Sequence, residues 1–366
     1  MPFREGVNEF EDTPVAGEAL SADIPRDWGV GRTMMVTGRE NTGGGDIYTA
    51  GYKYDVTTSN PNARLWNARW SSPTGGKDEG VASELAHVSA LGHRAAFVAG
   101  RSYSSAEKFD TVVLAYDHDT GRPLWSGNPA RIFTGAFHGN DEPIDIRYSD
   151  KTGILYVLGT SERGFPHGTD IAVHAYTAMT GEHIATAYVS GDISNGDDKA
   201  TGIEVSSDGS RVVVSAEVHN LQGTGGRRGG VFAFDALLHP AGSGLLASTD
   251  LNPEQASAVD FAGVWQNDKP ADVAVVVAGA SVQTGRGYDQ HVARFPLPAF
   301  AVAPVATSLQ FTAATPAAVT RGTDLPVEVQ LREADGRAAR NREVVITFAG
   351  RTATVITDAA GRASTT

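Results

Sequence analysis

Asp145, Glu204 and Asp260 each sit in a short apolar stretch at comparable places, with His87 at the matching place of a fourth. Two or three acids meeting in one cavity suit glycosidic bond hydrolysis, which needs one carboxyl kept protonated by its surroundings and one ionised partner. The competing reading is a water-filled channel lined by solvated charges, because the sequence does not say which strand face each carboxylate takes. Acidic pairs recur ahead of these stretches as Asp78-Glu79, Asp141-Glu142 and Asp197-Asp198, with Glu254 in a fifth place. A residue type required at every repeat is expected to satisfy backbone N–H groups rather than to perform one reaction. From Asp192 through Asn195 to Asp197 and Asp198, oxygen donors are interspersed around Gly196 as in calcium loops, so Ca2+ is the metal ion to test there. The run lacks the twelfth-position Glu of an EF-hand and reads equally as a plain acidic turn. No other cofactor is expected.

Several chemistries drop out. The 366 residues include no cysteine, which removes disulfides, thiolate catalysis and Cys-ligated metals. Ten histidines form neither His-x-x-x-His nor His-Glu-x-x-His, and Gly-x-Ser-x-Gly is absent. A net charge of −13 disfavours nucleic acid as a partner. No apolar run approaches the ~20 residues of a membrane span, and the opening Met-Pro-Phe-Arg-Glu does not read as a signal peptide.

The elements that must position these residues repeat. Val36-Thr-Gly38, Val98-Ala-Gly100, Val157-Leu-Gly159, Val214-Ser-Ala216 and Val277-Ala-Gly279 are spaced by 62, 59, 57 and 63 residues. A following strand ends in Tyr54, Tyr116, Tyr176, Phe234 and Phe295, keeping the same period. Asp119-Thr-Gly121 and Met179-Thr-Gly181 then supply tight turns, and Arg122-Pro-Leu-Trp125 is expected as an outer strand. Each unit reads as four strands, some apolar on both faces as in Ala274-Val-Val-Val277, which suits sheets covered on both sides. Repeated four-stranded antiparallel units of about 60 residues indicate an all-β fold, a β-propeller with five visible repeats. The first unit lacks a clean inner strand around Asp23-Ile-Pro25, and the fifth has only Ala299-Phe-Ala-Val302 as an outer candidate. Either the N-terminal segment completes the last blade, or further blades lie beyond this sequence.

Polar, Gly-rich connections fall between the second and third strands of every unit and so share one rim. Arg101, Tyr103, Phe165, His167, Arg227, Arg228 and Arg286 on that rim are the candidate ligand-binding residues, with flexible decoration as the alternative. Trp66, Trp70 and Trp125 are expected to pack blade on blade, and His174 to be packed or hydrogen-bonded. After the Pro/Ala-rich stretch Pro296–Pro304 a different alternation begins, giving a propeller over residues 1–303 and a partial β-sandwich over 304–366.

Two resemblances follow from the motifs. Thr111-Val-Val-Leu-Ala-Tyr-Asp-His-Asp-Thr-Gly121, Leu124-Trp125 and Gly202–Val214 resemble the repeats of bacterial quinoprotein-like propellers over roughly residues 30–300. Asp335-Gly336, Val344–Phe348 and Thr357–Thr365 resemble the immunoglobulin-like domains of invasin and intimin type surface proteins. Together they imply an exported bacterial protein at the cell surface, binding a protein or carbohydrate ligand through its rim loops without enzymatic activity. A carbohydrate hydrolase using Asp145, Glu204 and Asp260 is the competing expectation. A quinone-dependent oxidoreductase, which the first resemblance also covers, is the third.

Overall fold

The computed structural model describes residues 17–24, 33–40, 45–54, 62–103, 108–135, 138–164, 167–191, 196–219, 227–246, 254–266, 269–283, 287–297, 307–311, 327–333, 338, 343–348, 351–358 and 360–365. They fall into two compact units, Met1–Ala301 and Val302–Thr366.

In the first unit the chain folds into successive antiparallel meanders, each a blade. Blade 1 holds β1 (Gly17–Asp23), β2 (Thr33–Glu40), β3 (Ile47–Tyr54) and β4 (Asn62–Trp70). Blade 2 holds β5 (Asp78–Val88), β6 (His93–Tyr103), β7 (Phe109–Asp117) and β8 (Ala130–Phe133). Blade 3 is β9 (Asp141–Ser149), β10 (Ile154–Gly164), β11 (Gly168–Thr177) and β12 (His183–Val189), and blade 4 is β13 (Lys199–Val205), β14 (Arg211–His219), β15 (Arg227–Asp235) and β16 (Pro240–Leu245). Blade 5 shows three strands among the described residues, β17 (Glu254–Gln266), β18 (Lys269–Gln283) and β19 (Gly287–Pro296). The fold is an all-β propeller. Its inner strands pack in succession, β1 to β5 to β9 to β13 to β17; among the described residues β17 does not pack extensively on β1.

Two expectations about the strands are corrected. The first blade has an inner strand, because it ends at Asp23, before Pro25 can interrupt it. Arg122–Trp125 makes only a single bridge, Tyr116 to Pro123, and the outer strand of blade 2 is Ala130–Phe133. The fifth outer candidate, Ala299–Val302, lies outside the described residues.

The small residue closing each Val-x-Gly motif has a physical cause. Every inner strand carries one extra residue opposite that position, so register shifts between Ala19 and Ser21, Gly80 and Ala82, Ala200 and Gly202, and Ala256 and Ala258, with the matching shift in blade 3 opposite Leu158 and Gly159. The bulge drives inner-strand backbone into the second strand. A Cβ on Gly38 would overlap the Glu18 carbonyl oxygen, and one on Gly159 the Glu142 carbonyl oxygen.

Apolar side chains on both sheet faces weld neighbouring blades. Leu155 and Val157 pack with Val113 and Ile146, whereas Tyr156 and Leu158 pack with Ile203, Val212 and Val214. Each fully buried side chain of this size contributes about 1.5–3 kcal/mol. Aromatic side chains add polar links: Trp66 Nε1 donates to the His118 carbonyl, Trp125 Nε1 to the Ala178 carbonyl at 2.8 Å, and Tyr156 Oη to the Ala236 carbonyl at 2.8 Å. Trp66 and Trp125 thus join one blade to the next turn.

In the second unit β20 (Thr307–Phe311), β21 (Val327–Glu333) and β24 (Arg362–Thr365) form one sheet, and β22 (Glu343–Phe348) and β23 (Arg351–Ile356) another. Val329, Val344 and Ala363 form a small core between them.

Candidate functional site: the inner-strand ring

The repeated bulge sets a common register for the inner strands. Three residues beyond it, opposite Met35, Phe97, Tyr156, Val213 and Val276, stand Asp23, Glu84, Arg147, Glu204 and Asp260. Four blades therefore present a carboxylate, and blade 3 presents a guanidinium. This corrects two sequence assignments: the match in the second unit is Glu84, not His87, and Asp145 lies two residues ahead of the ring position, level with Ser21, Ala82, Gly202 and Ala258. Without the bulge position, the sequence alone could not align blade 3 correctly.

Arg147 gathers its neighbours. Its Nη1 donates to Asp145 Oδ1 at 2.7 Å and lies 3.8 Å from Glu84 Oε2, while Nε reaches Glu204 Oε2 at 3.5 Å. These side chains are largely sheltered, Glu84 at 13% and Glu204 at 8% exposure. Asp145 is also held by backbone: Ile146 N donates to Oδ1 at 2.8 Å and Ile203 N, from the next blade, to Oδ2 at 3.3 Å. Glu204 Oε1 accepts Val205 N at 3.0 Å. Burial raises the Asp145 carboxyl above its ordinary value, and Arg147 pulls the other way. Asp260 is exposed, accepts Phe261 N at 2.7 Å, and makes no contact with Arg147 among the described interactions. Asp145 and Glu204 are thus brought together around one cation and Asp260 is not.

The acidic pairs clamp the blade entries. Asp78 Oδ2 accepts Ser72 N at 2.7 Å, Asp141 Oδ2 accepts Gly135 N at 2.6 Å, and Asp198 accepts Gly191 N at 2.6 Å and His219 N at 2.8 Å. Each holds the loop that enters its inner strand. Burial raises all three carboxyls above their ordinary value, and the donated hydrogen bonds offset part of that rise. Their companions build a ladder across blades 1 to 3. Arg39 pairs with Glu18 at 3.2 Å and with Glu79, and Arg101 bonds Glu79 at 2.6 Å and Glu142 at 2.7 Å.

That ladder redefines part of the rim. Arg101, expected to meet a ligand, lies over Phe109 at 4.7 Å and between the carboxylates of Glu79 and Glu142. Tyr103 packs against Phe109 and over Gly76. His167 at 42% and Arg227 at 37% side-chain exposure face solvent more openly, with Arg227 4.0 Å from Glu217. Arg228 is half-buried at the start of β15. Phe165, Arg286, Asp192 and Asn195 lie outside the described residues, and Asp197 is exposed while Asp198 is buried. Among the described residues no three His, Asp or Glu side chains are already gathered about one metal position.

No protein-family profile and no curated protein matches the chain. Solved structures do. The periplasmic gluconolactonase of Pseudomonas aeruginosa matches at 14% identity and TM-score 0.37, covering 91% of this chain and 80% of that one. A quinohemoprotein alcohol dehydrogenase from Comamonas testosteroni matches at 13% identity and TM-score 0.40, covering 70% and 42%. The β-propeller domain of the Trilobed protease from Pyrococcus furiosus matches at 10% identity and TM-score 0.38, covering 91% and 86%. Likeness at this level transfers no activity; the propeller rests on the repeated blades themselves. Among the described residues no helix is long and apolar enough to cross a membrane.

Proposed function

We propose that the chain is a non-enzymatic binding protein of the bacterial cell exterior. Its propeller is a rigid scaffold offering rim loops to a protein or carbohydrate ligand, and residues 302–366 are an immunoglobulin-like spacer. One observation carries the reading: two of the three candidate carboxylates, Asp145 and Glu204, are engaged by the scaffold. Asp145 accepts Ile146 N, Ile203 N and Arg147, and Glu204 accepts Val205 N and faces the same guanidinium. A hydrolase is the second reading, favoured by the rise that burial imposes on Asp145 beside Glu204.

The test is a panel of polysaccharides and surface glycoproteins offered to the intact chain, reading binding and release of reducing ends together. We expect saturable binding, weakened at least about tenfold in a His167→Ala, Arg227→Ala double variant, with no turnover. Release of reducing ends that disappears in Asp145→Asn would overturn the binding reading in favour of the hydrolase.

A further inference from the structure

Where blades 3 and 4 meet at the rim, two carboxylates from different blades are buried side by side. Asp170 is fully buried at the start of β11, and Asp198 is 4% exposed at the entry to β13. Their proximity is fixed by backbone, because Asp198 N donates to the carbonyl of Thr169, the residue before Asp170, at 2.8 Å. The Asp170 charge reaches Asp198 and adds to the rise that burial imposes on it. Arg163 Nη1 bonds Asp170 Oδ2 at 2.8 Å, and His167 Nδ1 lies 3.9 Å from the same oxygen. The other oxygen, Asp170 Oδ1, is buried with no hydrogen-bond partner, and so is His219 Nδ1, which lies 3.7 Å from Asp198 Oδ1.

Asp198 has a backbone donor on each oxygen, from Gly191 N and His219 N, but Asp170 Oδ1 has none, and a buried carboxylate oxygen without a donor is expensive to hold. We infer that Asp170 and Asp198 are the two carboxylate ligands of a Ca2+ ion that pins blade 3 to blade 4. A hard cation of this size takes carboxylates, backbone carbonyls and waters together, so it needs no third acidic or imidazole side chain. The unbonded His219 Nδ1 suits a water of such an ion's shell. This set differs from the acidic run read from the sequence: it adds Asp170, 28 residues before Asp198, which no local motif links to it.

The experiment is calorimetric titration of the intact chain, stripped with chelator, with Ca2+ alone, alongside the same titration with Mg2+ and Zn2+. The expected result is one Ca2+ bound per chain, a rise in unfolding temperature with Ca2+, and weaker Mg2+ binding. Asp170→Asn keeps the shape and is expected to weaken Ca2+ by at least about tenfold. Arg163→Met removes the competing cation and is expected to tighten Ca2+ binding, a direction that a general loss of structure would not produce. No Ca2+ uptake, Zn2+ preferred over Ca2+, or Ca2+ affinity unchanged in both variants would each overturn the site.

Discussion

Arg147 shows how one residue can carry the electrostatics of neighbouring inner strands. It stands where the other blades place Asp23, Glu84, Glu204 and Asp260, and it is the cation that Glu84, Asp145 and Glu204 share. Arg147→Met would leave three partly sheltered carboxylates facing each other, an expected loss of about 1–3 kcal/mol after allowing for their remaining solvent contact. Arg147 opposes the rise that burial imposes on the Asp145 carboxyl, so losing the guanidinium lets that carboxyl take up a proton at higher pH and the deficit should shrink as pH falls from 7 toward 4; urea unfolding at both values checks this, and an equal deficit at both would refute the shared-cation role. A second residue-scale prediction concerns the indole dock. Gly181 adopts φ +67°, and a Cβ there would lie 2.7 Å from the Trp125 ring. Gly181→Ala combines a left-handed backbone with that overlap and is expected to destabilise by about 2–4 kcal/mol in thermal unfolding, more than Gly153→Ala, where φ is +66° but space is open.

At the scale of elements, the blade-entry aspartates and the turn aspartates pull stability in opposite directions with pH. Burial raises Asp78, Asp141 and Asp198. Their ionisation is harder in the folded chain than in the unfolded one, so they subtract stability once pH climbs past the ordinary carboxylate value of ~3.9. Burial alone would raise Asp117 and Asp235 as well, but hydrogen bonds from Thr120 to the first, and from His239 and Leu237 to the second, hold both below that value. Their contribution is present above ~3.9 and is lost as pH falls through the lowered folded values. Stability is therefore expected to hold or rise from pH 7 to 5 and to collapse below about pH 4; a steady decline from pH 7 downward in chemical denaturation would contradict the raised entries. The sequence displayed these entries plainly, since Asp78, Asp141 and Asp198 recur ahead of the inner strands, and it displayed the Val-x-Gly strands equally well. What it hid depends on contacts between blades. The bulge that aligns Arg147 with Glu84 is marked only on the partner strand, by the small residue of Val-x-Gly, and not within the inner strand that it re-registers. The pairing of Arg101 with Glu142 joins residues 41 apart on adjacent blades. A basic rim residue and a structural guanidinium look alike until the neighbouring blade is in place.

For the whole propeller, stability is a sum over blades and the interfaces between them, because each blade touches only its neighbours. Blades 2, 3 and 4 are covered on both faces, and Phe97, Val98, Leu114, Tyr156, Val157, Val173 and Val213 have no solvent exposure at all. Blades 1 and 5 each pack extensively on one neighbour among the described residues, and they leave Leu20 at 43%, Ile24 at 54% and Val292 at 70% exposure. Opening an end blade breaks one interface, and opening a middle blade breaks two, so the ends should open at lower free energy. Amide hydrogen exchange is expected to be slowest in β6, β7, β10, β11, β14 and β15, and at least about tenfold faster in β2, β3, β18 and β19. If blade 1 and blade 5 exchange as slowly as blade 3, the two blades are covered in solution, by each other or by a further strand. The same experiment repeated with Ca2+ separates the rim site from the channel, since an ion shared by Asp170 and Asp198 would slow β11 and β13 together while leaving β2 and β3 unchanged.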